Sequence, residues 1–143
     1  MRRRRMLLLG SALGLGLFVG CSSSNWVAAL NYLYGSWHGT PGYMSIHAPG
    51  DQTRQTGDSL EIMYPSGGES DWYLVGSAVK AGNTWTGTFE VMSGPTTRQS
   101  GSPLSVGADV TVELHMANST TLHSTISATG ATDLTAQWTK VVD

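Results

Sequence analysis

Between Asp109 and Met116 the apolar side chains Val110, Val112, Leu114 and Met116 fall on every second position, with Thr111, Glu113 and His115 between them. A repeat of two sends alternate side chains to opposite faces of an extended strand, whereas a helix repeats about every 3.6 residues and cannot keep that set together. From Gly35 onward such runs recur, rich in Thr, Val, Trp and Tyr and punctuated by Gly, Pro, Asn and Asp. They predict strands over roughly Ser36 to Gly39, Tyr43 to His47, Ser59 to Tyr64, Asp71 to Val79, Thr84 to Met92, Asp109 to Met116, Thr121 to Thr129 and Asp133 to Val141. Eight short strands joined by hairpins imply an all-β domain: an antiparallel up-and-down β-barrel of about eight strands with a short N-terminal helix. Closure removes the exposed edges that invite aggregation.

Parity sets the register. A two-residue turn at Gly82-Asn83 pairs Lys80 with Trp85, Ala78 with Gly87, Gly76 with Phe89 and Leu74 with Val91. Small residues then oppose large or equally small ones on a single side, which fills a curved interior. From Asp109 to Thr129 the apolar positions are all even, adding Leu122, Ile126 and Ala128. They share one face only if the loop near Asn118 or Ser119 is odd in length. Leu134, Ala136 and Trp138 continue the parity in the last strand.

Two polar segments, Pro49 to Asp58 and Ser93 to Gly107, are expected to stay unstructured. Both contain Thr-Arg-Gln, at Thr53-Arg54-Gln55 and Thr97-Arg98-Gln99. If both loops open at the same barrel end, Arg54 and Arg98 make a site for an anionic group. Ahead of the strands, Trp26, Leu30 and Leu33 fall at helical spacing, with Ser24 or Asn25 as N-cap and Gly35 at C′. That predicts a helix of two to three turns, lying across one barrel end or, through Trp26, Tyr32 and Tyr34, at a membrane interface.

The chain begins differently. Arg2 to Arg5 precede the apolar run Met6 to Val19, which is shorter than the roughly 20 residues a spanning helix needs and has the length of a signal peptide. Leu17-Phe18-Val19-Gly20-Cys21 resembles the lipobox of bacterial lipoproteins, and Cys21 is the one cysteine in the chain. The resemblance implies cleavage before Cys21 and several acyl chains, palmitate among them, on the new N-terminal residue. At about 0.8 kcal/mol per buried methylene these form a permanent membrane anchor. Arg3-Arg4-Arg5-Met6-Leu7 loosely resembles a twin-arginine export signal. The expected layout is a signal peptide over 1–20, the lipidated cysteine, tether and helix over 21–34, and the barrel over 35–143. Ser22 after the cysteine favours an outer membrane, facing the periplasm, in a two-membrane host.

Removing 20 of the 143 residues leaves 123, enough for one domain. Its basic residues are Arg54, Lys80, Arg98 and Lys140 against all ten acids, a net charge of −6. That balance argues against nucleic acid as a partner. With no second cysteine, stability falls to core packing and the sheet ladder.

Gly35-Ser36-Trp37, opening the first strand after a short helix, resembles the G-x-W start of lipocalins and, more loosely, of avidin-like barrels. Thr84-Trp85-Thr86-Gly87-Thr88-Phe89 resembles a strand of the avidin-like group. The resemblance implies a calycin-type barrel in which Trp37 packs across the closed end. Thr132-Asp133-Leu134 echoes part of the lipocalin T-D-Y motif, and no arginine stands on the last strand to cover Trp37.

No nucleophile elbow, phosphate loop, zinc spacing or paired-carboxylate motif is present, so no catalytic residue, metal or cofactor is assigned. His115 and His123 can face each other across a hairpin, but their odd parity puts them on the outer face beside Glu113 and Thr125. They, like His38 and His47, are expected to be solvated. Of the five tryptophans, Trp37 and Trp138 read as structural core. Trp72 and Trp85, with Phe89 and Tyr64, are candidates to line a pocket for an apolar or flat ligand. The expected function is that of a membrane-anchored envelope binding module. The alternative is a protein-interaction role, as an envelope hydrolase inhibitor or assembly accessory.

Overall fold

The computed structural model describes residues 29–49, 58–68, 70–97 and 99–142. One short helix, α1 (Leu30–Leu33), is followed by β1 (Gly35–Gly39), β2 (Gly42–His47), β3 (Asp58–Tyr64), β4 (Trp72–Ala81), β5 (Thr84–Ser93), β6 (Asp109–Asn118), β7 (Thr121–Ser127) and β8 (Leu134–Lys140). Each strand pairs antiparallel with the next and β8 pairs back onto β1, closing a barrel in sequence order. All eight expected strands are present, with bounds shifted by a residue or two.

The β4–β5 hairpin has the register expected from parity, Lys80 opposite Trp85, Ala78 opposite Gly87, Gly76 opposite Phe89 and Leu74 opposite Val91. Gly82 takes φ +64 at the first turn position, which suits a glycine-led hairpin turn matching the strand twist. Between β6 and β7 the parity condition is met by a different device. The turn is two residues, Ser119-Thr120, and the register shifts between Met116 and Asn118, so Ala117 bulges and keeps both apolar sets inside. Asn118 Oδ1 accepts from the Thr120 amide at 2.9 Å and its hydroxyl at 3.0 Å, fixing the turn.

Inside, Trp37, Ile46, Leu60, Leu74, Trp85, Leu122 and Trp138 expose none of their surface, so no water-sized space touches them. An eight-stranded barrel is just wide enough to be filled by side chains. The rings fit because inward positions of β4 and β5 are small. A Cβ on Gly87 would lie 1.9 Å from the Ser77 carbonyl oxygen, and one on Gly76 2.3 Å from that of Thr88. The buried polar atoms are mostly satisfied: Trp37 Nε1 donates to the Leu33 carbonyl at 3.0 Å and Trp138 Nε1 to Ser124 Oγ at 2.8 Å. Trp85 Nε1 is buried with no partner among the described residues, an omission that costs about 1–3 kcal/mol.

The helix is shorter than its spacing suggests. Ala29 is extended, with φ −100 and ψ 161 and no side-chain cap, so helical geometry begins only at Leu30. Trp26, Ser24 and Asn25 lie outside the described residues. The single turn serves as a lid: Leu33 is fully buried in the core, and Gly35 follows at φ +126 to start β1. Lys140, at the end of β8, completes this end. Its ammonium lies 4.6 Å from the centroid of the Trp37 ring. It donates to the Tyr32 carbonyl at 2.9 Å and also to the Tyr34 carbonyl. Burial pushes its pKa below the ordinary lysine value, and the two carbonyls and the ring face offset that desolvation. Lysine thus fills the position above Trp37 where the sequence offered no arginine, and even parity alone aims it inward beside Trp138.

Two outcomes are expected in urea denaturation. Gly87→Ala, which forces backbone to move, lowers stability by about 1–3 kcal/mol. Lys140→Met, which keeps the aliphatic cover of Trp37 but strips two charge-assisted hydrogen bonds, costs about 1–3 kcal/mol.

Candidate functional site

A meander alternates its connections between two ends. Helix α1 and the β2–β3, β4–β5 and β6–β7 connections share one end; the β1–β2, β3–β4, β5–β6 and β7–β8 connections share the other. The β2–β3 and β5–β6 loops therefore spring from opposite ends, and a joint site built from both is not available. Arg54 and Arg98 themselves lie outside the described residues, as does Cys21.

The β5–β6 loop, expected to be unstructured, is folded over its end of the barrel. Val91 and Gly107–Ala108 exchange backbone hydrogen bonds that prolong the ladder, and the Thr132 amide donates to the Gly101 carbonyl at 2.8 Å, tying this loop to the β7–β8 connection. Its Leu104 is 1% exposed and belongs to the core. The signal for this was the apolar pair Pro103-Leu104 inside an otherwise polar run. On the β3–β4 side Ser66 Oγ donates to the Ser70 carbonyl at 2.6 Å and accepts from the Gly68 amide at 3.0 Å, shaping the facing loop.

Between these loops lies a cleft of about 490 Å³. Its apolar floor is Tyr64, Trp72, Leu104 and Leu134 with Pro41 and Pro65; its rim is Ser66, Thr97, Gln99, Ser102 and Thr135, and among the described residues no lining side chain is charged. A second recess of about 460 Å³ lies beside Trp72, Gly94, Pro95 and Val106. The Trp72 indole is the wall between the two. A Cβ on Gly94 would fall 2.1 Å from that ring, so glycine is what lets the loop lie flat on it.

Of the four aromatic candidates, the structure brings Tyr64 and Trp72 together on the cleft and keeps Trp85 and Phe89 in the packed interior, at 0% and 1% exposure. Trp37 and Trp138 take the structural roles expected of them. Tyr64 is edge-on to Trp138, with centroids 5.6 Å apart at 78°. It is 5% exposed. Burial raises its pKa above the usual 10.0.

The cleft continues into the wall. β8 meets β1 at only three positions, Trp37 with Lys140, His38 with Thr139 and Gly39 with Trp138, before β1 turns away at Thr40-Pro41. The Lys140 amide bonds toward β7 and the Val141 amide toward β1, so alternation turns the backbone of Thr135 toward the open seam, where no described residue pairs with it.

The other polar clusters lie on the outer face. His38 stacks on Tyr43 at 4.5 Å. His47 Nδ1 is 3.6 Å from Glu61 Oε1. Tyr73 has its pKa raised by desolvation first and then by the charge and hydrogen bond of Glu61. Among the described residues no three His, Cys, Asp or Glu side chains gather into a metal site, and no helix is long and apolar enough to cross a membrane. The barrel is consistent with a calycin-like architecture. Comparison with protein-family models, curated proteins and solved structures finds no match.

Because the fold holds Tyr64 neutral, its contribution is complete below pH 10.0 and is lost as the pH rises toward the higher folded value. The urea midpoint is therefore expected to fall above that pH. Tyr64→Phe, which deletes the titrating hydroxyl, is expected to flatten the alkaline decline.

Proposed function

We propose that this protein is a lipid-anchored cell-envelope lipoprotein whose calycin-like barrel works as a non-enzymatic binding module, taking its ligand in the loop-end cleft. The supporting observation is the division of labour between the two ends. The described chain enters at the helix end, where Leu33 and Trp37 are fully buried and Lys140 covers the Trp37 ring. The cleft of Tyr64, Trp72, Leu104 and Leu134 opens at the other. Eight residues separate Cys21 from Leu30, a reach of at most about 32 Å over the nine steps. An acylated Cys21 holds the helix end toward the bilayer and turns the cleft outward.

The cleft's own chemistry narrows the ligand. Its floor is apolar and aromatic, its rim carries hydroxyls and amides, and none of its described lining side chains is charged. An uncharged, flat molecule with a hydrogen-bonding group for the Tyr64 hydroxyl suits it. The alternative, an envelope protein as partner, is favoured by one observation. The unpaired backbone of Thr135 at the seam is the start of an edge to which an extended peptide can add. An acidic mature chain makes nucleic acid an unsuitable partner for either reading.

Two measurements test this. Mass spectrometry of the protein extracted from membranes is expected to show the signal removed and acyl chains on Cys21, and Cys21→Ser to leave the membrane fraction; an unmodified thiol contradicts the anchor. Native mass spectrometry is expected to find a small uncharged molecule on the wild-type protein, with occupancy reduced at least about tenfold in Trp72→Ala through the lost aromatic wall. An empty wild-type protein that binds no member of an uncharged aromatic library contradicts the small-molecule reading.

A further inference from the structure

The outer face of the barrel carries a straight row of four polar side chains, Thr84, His115, His123 and Gln137. Each comes from a successive strand, β5 to β8, and each stands directly opposite the next. Nothing in the binding module proposed above uses this row, and it lies on the wall of the barrel rather than in the loop-end cleft. Its two imidazoles are exposed and lie 6.3 Å apart between centroids, inclined at 37°.

Three features set this pair apart from two solvated histidines. The first is orientation. Thr84 Oγ1 lies 2.8 Å from His115 Nδ1, which occupies one ring nitrogen and leaves Nε2 as the free donor atom. A hydrogen bond on the second nitrogen is the usual way a ligating histidine is held in the right tautomer and aim. The second is spacing. With metal–nitrogen bonds of about 2 Å, two imidazoles sharing one ion hold their centroids roughly 4.5–6.4 Å apart as the angle at the metal opens from a right angle to a straight line. The observed 6.3 Å lies at the wide end of that range, which matches two imidazoles placed trans on one ion; a cis arrangement needs the rings to swing closer together. The third is access. Both imidazoles are exposed to solvent, His123 and Gln137 also border a surface groove of about 650 Å³ that His115 does not line, and Glu113 lies on the same face two residues along β6.

We propose that His115 and His123 form a two-imidazole surface site for a borderline transition-metal dication. Water completes the coordination, and Gln137 is the neighbouring oxygen donor. No third histidine, cysteine or carboxylate joins the pair among the described residues, so affinity follows intrinsic metal preference. Copper(II) binds best, nickel and zinc more weakly, and magnesium and calcium, which want oxygen ligands, not at all.

The experiment is copper(II) titration of the full-length protein in detergent, followed by calorimetry and electron paramagnetic resonance. One equivalent is expected to bind with nitrogen hyperfine structure. His115→Ala and His123→Ala, both at exposed strand positions, are each expected to weaken binding at least about tenfold, and His47→Ala to leave it unchanged. Wild-type protein that takes up no copper overturns the proposal. So does wild-type affinity in either single variant, or a loss in His47→Ala as large as theirs.

Discussion

The barrel stands or falls on a short seam. Nine residue pairs join β4 to β5, but three join β1 to β8. So small a ladder is held by groups that lie beside it. The Val141 amide donates to the Ser36 carbonyl at 2.9 Å, extending the pairing past β8. Lys140 grips the carbonyls of α1 and covers Trp37. Trp138, anchored to Ser124, fills the space behind Gly39, where a Cβ would meet its ring at 2.9 Å. The Lys140 and Val141 contacts lie at the helix end, where the described residues cover the core. Toward the other end β1 turns away, the wall opens beside Leu134 and Thr135, and the cleft forms there.

The same asymmetry explains why one end is rigid packing and the other is concave. Within each strand the interior side chains keep one parity, odd in β1 and β5 and even in the others, and small residues at Gly76, Ala78 and Gly87 admit the rings of Trp85 and Phe89. Nothing of that regularity extends into the loops beyond Tyr64, Ser93 and Ser127. There the chain covers the barrel with irregular segments, Leu104 reaching back as a plug and Gly94 lying against Trp72. The space those segments leave is the loop-end cleft.

The strands, their pairing and the inward set were legible in the sequence because a period of two is a local signal and parity carries it across each hairpin. What was not legible depended on distant contacts. The odd loop expected between β6 and β7 is a bulge at Ala117 with a two-residue turn, since parity counts residues without saying where the extra one sits. The helix expected to run two to three turns has one, because the apolar spacing of Leu30 and Leu33 describes a face against the barrel and not a length. Lys140 was overlooked as the cover for Trp37, though its parity pointed inward. Tyr64 and Trp72 were recognisable as aromatic candidates. Their separation from Trp85 and Phe89 was not, because strand parity gives the side a residue faces but not its depth along the barrel axis.

On the lipoprotein reading proposed above, the two unlike ends orient the domain, with the helix end toward the bilayer and the concave end outward. The measurement that tests this most directly is paramagnetic broadening of backbone amides by spin-labelled lipid, with the full-length acylated protein in bilayer discs. Broadening is expected at the helix-end turns, Asn83 and Thr120, while Gly67 and Gly130 at the loop end stay sharp. Broadening strongest at Gly67 and Gly130 would place the cleft against the membrane and contradict the account.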